Sequence, residues 1–214
     1  MRATEGIYMT DCSSTNPQLL LSQALAGERD CFGELLSVYR NYLKLLVVAQ
    51  LERCLQQRVS PSDVVQETFL EANRDFDQFR GQSIGEFCAW LRMILVNNLH
   101  RVVEQHVLTA KRTVRREVSL EVLASSLEQS TARLDAILSD PGSSPSMNYQ
   151  RQEQELDLAN QIAALPPDYR EVIVLRHIEA LPFDEVARRM QRKTGATRML
   201  WVRAIRCLRE KMNE

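Results

Sequence analysis

The sequence predicts an all-α protein: two small helical domains joined by a flexible acidic linker, with a helix-turn-helix in the second domain. Apolar residues recur along most of the chain with the 3.6-residue period of amphipathic helices. No segment has the apolar and polar alternation that is typical of a strand. Glycine is scarce, with 7 in 214 residues, which disfavours sheets with many turns and glycine-rich phosphate loops.

The first predicted helices follow a polar, aperiodic segment, residues 1–16, which we expect to be a disordered tail. Helical periodicity begins at Pro17. Gly27 and Asp30 are typical of a break and an N-cap before a longer helix. The stripe that predicts this helix has the spacing i, i+3, i+4, i+7 and consists of Phe32, Leu35, Leu36, Tyr39, Leu43 and Leu46.

Two further helices complete the first domain. Ser60, Pro61 and Asp63 indicate a helix start, with a Ser cap, Pro at the first helical position and an acid in the first turn. The stripe of this helix is Val64, Val65, Phe69, Ala72 and Phe76. The next helix, at about 84–104, is expected to bury Phe87, Trp90, Leu91, Ile94, Leu95 and Leu99.

The composition changes after residue 105. Residues 106–117 are basic, whereas residues 118–150 are acidic and rich in serine. From Glu117 to Asp140 there are five acids and one base, and the Asp-Pro-Gly-Ser-Ser-Pro-Ser run from Asp140 is typical of a linker. We therefore predict a tail at 1–16, a helical domain at 17–117, a flexible linker at 118–150 and a second helical domain at 151–214.

The second domain ends in three predicted helices, of which the last two are separated by a tight turn, as in a helix-turn-helix. From Arg188 to Lys211 there are nine Lys or Arg and one acid, although the chain's net charge is −1. A basic final helix is typical of one that enters the major groove of DNA. We expect Ala196, Leu200, Ala204 and Leu208 to face inward. At the start of the helix, the side chains expected to contact bases are Lys193, Thr194, Thr197 and Arg198, and those expected to contact phosphates further along are Arg203 and Arg206.

The sequence offers little for catalysis or metal binding. The five cysteines form no Cys-x-x-Cys pair, and the three histidines supply no ligand spacing beside them, so we predict no metal and no cofactor. No nucleophile–base pair accompanies the carboxylates, so we predict no catalytic residue and no enzyme. The longest apolar run, near Leu45 to Ala49, is too short to span a bilayer, and no secretory signal is evident. We therefore expect a cytoplasmic protein with no membrane contact.

One face of the second predicted helix is a candidate docking surface. Asp63, Gln66, Glu67 and Leu70 have the spacing i, i+3, i+4, i+7, on a face offset from the apolar stripe. This row of carboxylates and an amide suits a basic partner helix. An ordinary solvated face remains the alternative.

Side chains further along are candidates for contact with unpaired or duplex DNA. Phe79 and Arg80 lie in a predicted turn, where an exposed aromatic ring beside an arginine could stack on an unpaired base. Polar side chains near the end of the next helix could reach bases or phosphates, with helix capping and solvation as alternatives. They are Asn97, Asn98, His100 and Arg101.

Together these segments resemble the extracytoplasmic-function (ECF) group of bacterial RNA polymerase sigma factors. Asp63-Val-Val-Gln-Glu-Thr-Phe is similar to the family's helix that docks on core polymerase. Asp77-Gln-Phe-Arg-Gly-Gln-Ser, Phe87-Cys-Ala-Trp-Leu-Arg and Asn97-Asn-Leu resemble its segment for promoter melting and minus-ten recognition. Leu165-Pro-Pro-Asp-Tyr-Arg-Glu-Val and the helix-turn-helix resemble its minus-thirty-five domain.

The resemblance implies a function for each segment. The chain would bind core polymerase, direct it to a two-part promoter and help to open the duplex. Asp63, Gln66, Glu67 and Leu70 would dock on the clamp helices of the beta-prime subunit. The residues implied for minus-ten binding and melting are Phe79, Arg80, Trp90, Asn97 and Arg101, and those implied for minus-thirty-five binding are Lys193, Thr194, Thr197, Arg198, Arg203 and Arg206. The resemblance leaves open whether an anti-sigma factor also binds.

The sequence departs from the family pattern in the helix-turn-helix. Pro182 stands where Ser or Thr usually caps the first helix of the motif, and Gln191 stands where the turn commonly has Gly. We expect Trp201 to pack inward or against the neighbouring helix. The alternative function is a one-component transcriptional regulator with the same motif, whose N-terminal helices sense a ligand or dimerise. An anti-sigma-like or RNA-binding adaptor fits the paired segments less well.

Overall fold

The computed structural model of the protein describes residues 16–51, 59–109, 119–138 and 148–212. These residues form nine α-helices and no strand, which confirms the all-α prediction for the described part of the chain. In chain order the helices are α1 (Pro17–Leu25), α2 (Arg29–Gln50), α3 (Pro61–Asp75), α4 (Ile84–Thr109), α5 (Leu120–Leu138), α6 (Asn148–Ala163), α7 (Pro167–Ile173), α8 (Phe183–Arg189) and α9 (Thr194–Met212). A 3₁₀ turn (Phe76–Gln78) follows α3, and a π-helical turn (Val174–Ile178) extends α7.

Local capping explains where several helices begin. Asn16 Oδ1 accepts hydrogen bonds from the backbone N–H groups of Gln18 and Leu19, at 2.9 and 3.3 Å, and so caps α1. Gly27 has φ +104° and separates α1 from α2, as predicted. Asp30 lies in the first turn of α2 rather than at its N-cap, because the helix begins at Arg29. Ser60 is the N-cap of α3, although its side chain makes no capping hydrogen bond.

Helix α4 begins with a capping box that the sequence analysis did not identify. Glu86 Oε2 accepts hydrogen bonds from Ser83 N and Ser83 Oγ, at 3.0 and 2.8 Å, and Ser83 Oγ accepts one from Glu86 N at 3.3 Å. The hydrogen bond from the Ser83 hydroxyl and those from the backbone lower the pKa of the Glu86 carboxyl. This box fixes the direction in which α4 leaves the turn that contains Phe79.

The predicted linker is wrong over most of its described part. Residues 120–138 form α5, and Leu123, Leu127 and Leu134 are buried. Their spacing of four and then seven residues is helical, and it was obscured by the acidic and serine-rich composition between them. Gln50 Nε2 of α2 donates a hydrogen bond to Ser130 Oγ at 3.0 Å, and Arg133 Nη1 donates one to the backbone oxygen of Ile178 at 3.1 Å. The predicted tail up to residue 15, the basic run from 110 and the Asp140 segment lie outside the described residues.

The two helical units share one continuous core. Helix α2 packs against α1 and α3 in the first unit and against α5, α6 and the π-helical turn on its other side. The buried residues of all these elements form a single apolar cluster. Between the units, Asn41 Nδ2 donates a hydrogen bond to Asn160 Oδ1 at 2.9 Å. The candidate sites described below are therefore held by one packed molecule.

Candidate nucleic-acid and protein interfaces

Helix α3 presents the predicted docking surface to solvent. Asp63, Gln66, Glu67 and Leu70 are all exposed, and Leu70 is 59 % exposed. The opposite face is buried through Val64, Val65, Thr68 and Ala72. The surface therefore combines two carboxylates and an amide with an uncovered leucine. This chemistry suits a partner helix that carries cations and an apolar contact point.

A buried polar chain fixes α4 against α3. Thr68 Oγ1 donates a hydrogen bond to the Val64 carbonyl at 2.8 Å and accepts one from Asn98 Nδ2 at 3.4 Å. Asn98 Oδ1 in turn accepts a hydrogen bond from Arg101 Nη1 at 3.1 Å. Arg101 Nη2 also lies 3.6 Å from Glu71 Oε1. Arg101 is exposed as predicted, and these contacts orient its guanidinium at the edge of the two helices.

Phe79 is not the exposed ring that the sequence analysis predicted. Its exposed fraction is only 8 %. The 3₁₀ turn folds the chain back so that the ring packs on Phe76, Phe87 and Trp90, with centroid distances of 6.1, 5.8 and 5.1 Å. A Cβ atom at Gly81 would overlap the Phe79 ring, so glycine at this position permits the burial. The prediction that Phe79 is free to stack on a base is therefore wrong for this structure.

A cleft of about 280 Å³ lies beside this aromatic cluster. Its wall includes the side chains of Phe32, Phe76 and Phe79. It is also lined by Arg29, Asp77 and Arg80, and Arg29 Nη2 lies 3.5 Å from Asp77 Oδ1. Arg80 is exposed, and its Nη1 donates a hydrogen bond to the Asp77 carbonyl at 2.8 Å. Aromatic walls beside the exposed Arg80 guanidinium could accommodate a flat base and its phosphate.

The exposed face of α4 continues away from this cleft. Trp90 is half-buried and Asn97 is exposed, seven residues apart and hence on one side of the helix. Between them lies Met93, which the sequence analysis missed and which is 57 % exposed. Its exposure could have been predicted from the sequence, because Met93 lies outside the buried stripe that contains Leu91, Ile94 and Leu95. The described face therefore presents an indole edge, a thioether and an amide in succession.

The turn of the helix-turn-helix closes with a Schellman motif. Arg192 N donates a hydrogen bond to the Ala187 carbonyl at 2.9 Å, and Gln191 N donates one to the Arg188 carbonyl at 3.3 Å. Gln191 takes the left-handed conformation that this motif requires, with φ +54°. Pro182 is the N-cap of α8 and supplies no side-chain cap. Both departures from the family pattern are thus accommodated without changing the motif's connectivity.

The inward face of α9 differs from the predicted one. Thr197, Ala204 and Leu208 are buried, whereas Ala196 is exposed. A helix has 3.6 residues per turn, so positions spaced four residues apart move gradually around its axis. Counting back from Ala204, the buried position is therefore Thr197 and not Ala196. Thr197 is fully buried, and its hydroxyl donates a hydrogen bond to the Lys193 carbonyl at 3.2 Å. The prediction that it contacts bases is therefore wrong for this structure.

The remaining predicted DNA-binding side chains lie on or near the outer face of α9. Lys193, Arg198, Arg203 and Arg206 are exposed, and Thr194 is half-buried and donates a hydrogen bond to Asp184 Oδ1 at 3.1 Å. Arg206 pairs with Glu210 at 2.9 Å. Within the described residues, Lys193, Arg198 and Arg203 have no ion-pair partner, in contrast to Arg188, Arg189 and Arg192, which pair with acids of the same unit. These three uncompensated cations are the strongest phosphate-binding candidates.

Trp201 fixes α9 to the preceding unit. Its Nε1–H donates a hydrogen bond to His177 Nε2 at 2.9 Å, and its ring contacts His177 and Phe183 at centroid distances of 5.8 and 5.6 Å. Burial lowers the pKa of His177, and the charge of Arg176 lowers it further, so the imidazole is held neutral and can accept this bond. The prediction that Trp201 packs against neighbouring structure is confirmed.

Metal-binding clusters and membrane-spanning helices are both absent from the described residues. No group of three or more His, Cys, Asp or Glu side chains in the described residues is arranged to hold a metal ion. None of the described helices is both long and apolar enough to cross a bilayer.

Comparison with known proteins identifies similarity along almost the whole chain. Residues 155–208 match the family described as "Sigma-70, region 4". The chain is 30 % identical over 195 residues to the ECF RNA polymerase sigma-E factor of Haemophilus influenzae, covering 91 % of this chain and 94 % of that protein. It is 29 % identical to the RNA polymerase sigma-H factor of Pseudomonas aeruginosa, covering 87 % and 89 %. A solved structure of CnrH in complex with the cytosolic domain of CnrY is similar at 20 % identity with a TM-score of 0.35, covering 92 % and 97 %.

Proposed function

The chain belongs to the ECF group of RNA polymerase sigma factors, and we propose that its polymerase-binding, strand-opening and upstream-promoter-binding activities lie on three separate exposed surfaces. As a transcription initiation factor it binds RNA polymerase and directs it to promoters. The main support for separate surfaces is that one packed molecule exposes an acidic face on α3 and, on α9, a cationic face without acidic partners in the described residues. The first suits a basic protein helix, and the second suits DNA.

The α3 face is the polymerase-binding surface in this proposal. Asp63, Gln66, Glu67 and Leu70 dock on the clamp helices of the beta-prime subunit. Their shared exposure supports this role, because no other described side chain competes for these groups. The buried Thr68 and Asn98 hold α3 in a fixed relation to α4, so docking on polymerase also places the α4 face.

The α4 face and the adjoining cleft form the strand-opening surface. Arg80, Trp90, Asn97 and Arg101 contact the minus-ten region, with Arg80 and Arg101 supplying charge and Trp90 an aromatic edge. Phe79 has a different part from the one expected of an exposed ring. Its buried ring packs against Trp90 and so supports the strand-opening surface from behind, without contacting a base.

The outer face of α9 binds the upstream element. Lys193, Arg198 and Arg203 are the principal phosphate contacts because no described acid neutralises them. Thr194 and Arg206 flank this set, each already engaged with an acid of the same unit. Thr197 takes no part in contact with DNA, since its side chain is buried.

The one-component regulator is the weaker alternative. Such a regulator would share only the C-terminal motif with sigma factors and would carry an unrelated sensing domain. The similarity to the sigma-E factor instead extends over 91 % of the chain, and so includes α3 and α4. No described feature favours a sensing or dimerising N-terminal unit.

Charge reversal of the docking surface tests the proposal. The double variant Asp63→Lys/Glu67→Lys should lose co-purification with core polymerase, because two exposed carboxylates would become cations facing a basic partner. Its circular dichroism and melting temperature should stay close to those of the parent, since both side chains are exposed.

The matched control makes the same charge change on another helix. Glu121 and Glu128 are exposed acids of α5, and Glu121→Lys/Glu128→Lys should bind polymerase as the parent does. Unchanged co-purification of the α3 variant, or equal loss in both variants, would rule out α3 as the docking surface.

A further inference from the structure

Two large apolar side chains are exposed on the outer face of α9. Met199 is 56 % exposed and Val202 is 50 % exposed. They lie on the side opposite the buried Ala204 and Leu208, and no described side chain covers them. About half of each side chain is thus exposed to water, on a helix face that is otherwise cationic.

Their position along the helix is informative. Gly195, Met199, Val202 and Arg206 follow one another at spacings of four, three and four residues, and so form one outward stripe. The stripe begins at a glycine with open space around its Cβ position, continues with the apolar pair and ends in a cation. The leading end of the helix is therefore slender and uncharged along this line.

Cations border the apolar pair. Arg198 precedes Met199 and Arg203 follows Val202, while Lys193 lies two residues before Gly195. All three lack an ion-pair partner in the described part of the chain. A cluster of exposed cations without acidic partners favours a polyanion as the partner, and DNA presents two strands of phosphates on either side of its base edges. The geometry thus fits a helix whose flanks contact two phosphate strands while its midline faces the base edges between them.

The apolar group that the major groove displays is the C5-methyl of thymine. We propose that Met199 and Val202 contact thymine methyl groups in the upstream promoter element, so that this chain selects A·T pairs there by apolar contact. The inference rests on the proposed function of α9. It adds the chemical class of base that the helix selects, and it assigns a specificity role to two residues outside the cationic set.

Deoxyuridine substitution tests this contact directly. Uracil keeps the hydrogen-bonding groups of thymine and lacks only the C5-methyl. Holoenzyme reconstituted from core polymerase and the full chain would first be footprinted on promoters found by run-off transcription. Every thymine of the protected upstream element would then be replaced by deoxyuridine, with the same replacement in the spacer as the control template.

The parent holoenzyme should bind the substituted upstream element about fourfold more weakly for each contacted methyl, as expected for losing the burial of one methyl group. Met199→Ala/Val202→Ala holoenzyme should bind the thymine template more weakly and should no longer distinguish thymine from uracil. Spacer substitution should change neither. Met199→Leu, which keeps an apolar side chain of similar volume, should retain the thymine preference.

Arg203→Ala is the matched control on the same helix. It should weaken binding to both templates equally and lower the salt slope by about 1, while the preference for thymine persists. The two proposals can fail separately. Absence of any polymerase-dependent footprint would overturn the proposed function. A footprint whose upstream element contains no thymine, or is indifferent to uracil, or stays sensitive in the double alanine variant, would overturn the thymine contact alone.

Discussion

Gln191 bears a backbone conformation that its side chain disfavours. It is the residue after the C-cap of α8, and its φ of +54° is in the left-handed region. A residue with a Cβ is less stable there than glycine by roughly 1–2 kcal/mol. The Schellman hydrogen bonds from Gln191 and Arg192 hold the turn in this state regardless.

Replacing this residue with glycine should therefore stabilise the protein. We expect Gln191→Gly to raise the free energy of unfolding by about 1 kcal/mol, less than the full strain because glycine also loses more entropy on folding. Urea denaturation would measure the change. Gln154→Gly is the control: residue 154 is exposed inside α6, and glycine there should lower the free energy by about 1 kcal/mol. A lower stability in Gln191→Gly would mean that the glutamine side chain contributes more than its backbone strain costs.

Individual side chains were harder to predict than the helices that carry them. Asp63, Gln66 and Glu67 needed only a correct helical face, and their exposure is confirmed. Phe79 depended on how a turn folds back onto the aromatic cluster, which helical periodicity does not specify. Thr197 depended on the rotation of α9 about its axis, where an error of one residue exchanges a buried position for an exposed one.

At the scale of elements, the α3–α4 junction depends on two buried polar side chains. Asn98 is almost fully buried and donates to Thr68 Oγ1, which itself donates to a backbone carbonyl. Leaving one of these groups without its partner would cost about 1–3 kcal/mol in a dry environment. The junction thus couples α3 to α4, the helices that carry the proposed docking and strand-opening surfaces.

A double-mutant cycle would measure this coupling. Thr68→Val should destabilise the protein by about 1–3 kcal/mol, because the Asn98 amide loses its acceptor. Asn98→Leu should also destabilise, and Thr68→Val/Asn98→Leu should be less destabilised than the sum of the two, with a coupling of roughly 0.5 kcal/mol or more. Urea unfolding of the four proteins gives each value. Strict additivity would contradict a shared hydrogen bond.

The helices also differ in how clearly the sequence predicts them. Pro61 after Ser60 marked the start of α3 correctly, and the stripe from Phe32 to Leu46 marked α2. Helix α5 was overlooked because its buried leucines are separated by acids and serines that lower the average hydropathy. Composition averaged over a window therefore conceals a helix whose buried face is narrow.

For the whole molecule, α5 has the largest consequence. It places Leu134 and its neighbours in the cluster that joins both helical units. A chain with a flexible linker would unfold as two units, whereas one with a continuous core should unfold as one.

Shortening one buried side chain distinguishes unfolding as one unit from unfolding as two. Leu134 is fully buried, so Leu134→Ala should lower the free energy of unfolding by about 2–5 kcal/mol. Calorimetry should give one transition before and after the change, and hydrogen exchange should accelerate in α2 and α9 together. Leu120→Ala, at an exposed position of the same helix, should alter stability by less than about 0.5 kcal/mol. Two resolved transitions, with only the C-terminal one displaced, would establish independent units.

The contact between Trp201 and His177 has a practical consequence when it is set beside Trp90. The chain contains only these two tryptophans. Trp90 lies on the proposed strand-opening face of α4, and Trp201 lies on α9, the helix proposed to bind the upstream element. The Trp90 indole lies among phenylalanine rings, whereas the Trp201 indole donates its N–H to an imidazole, so their emission should differ. Each of the two helices proposed to contact the promoter therefore contains one intrinsic fluorophore. With Trp90→Phe and Trp201→Phe proteins, stopped-flow fluorescence could time the engagement of the two halves of the promoter independently and without a label.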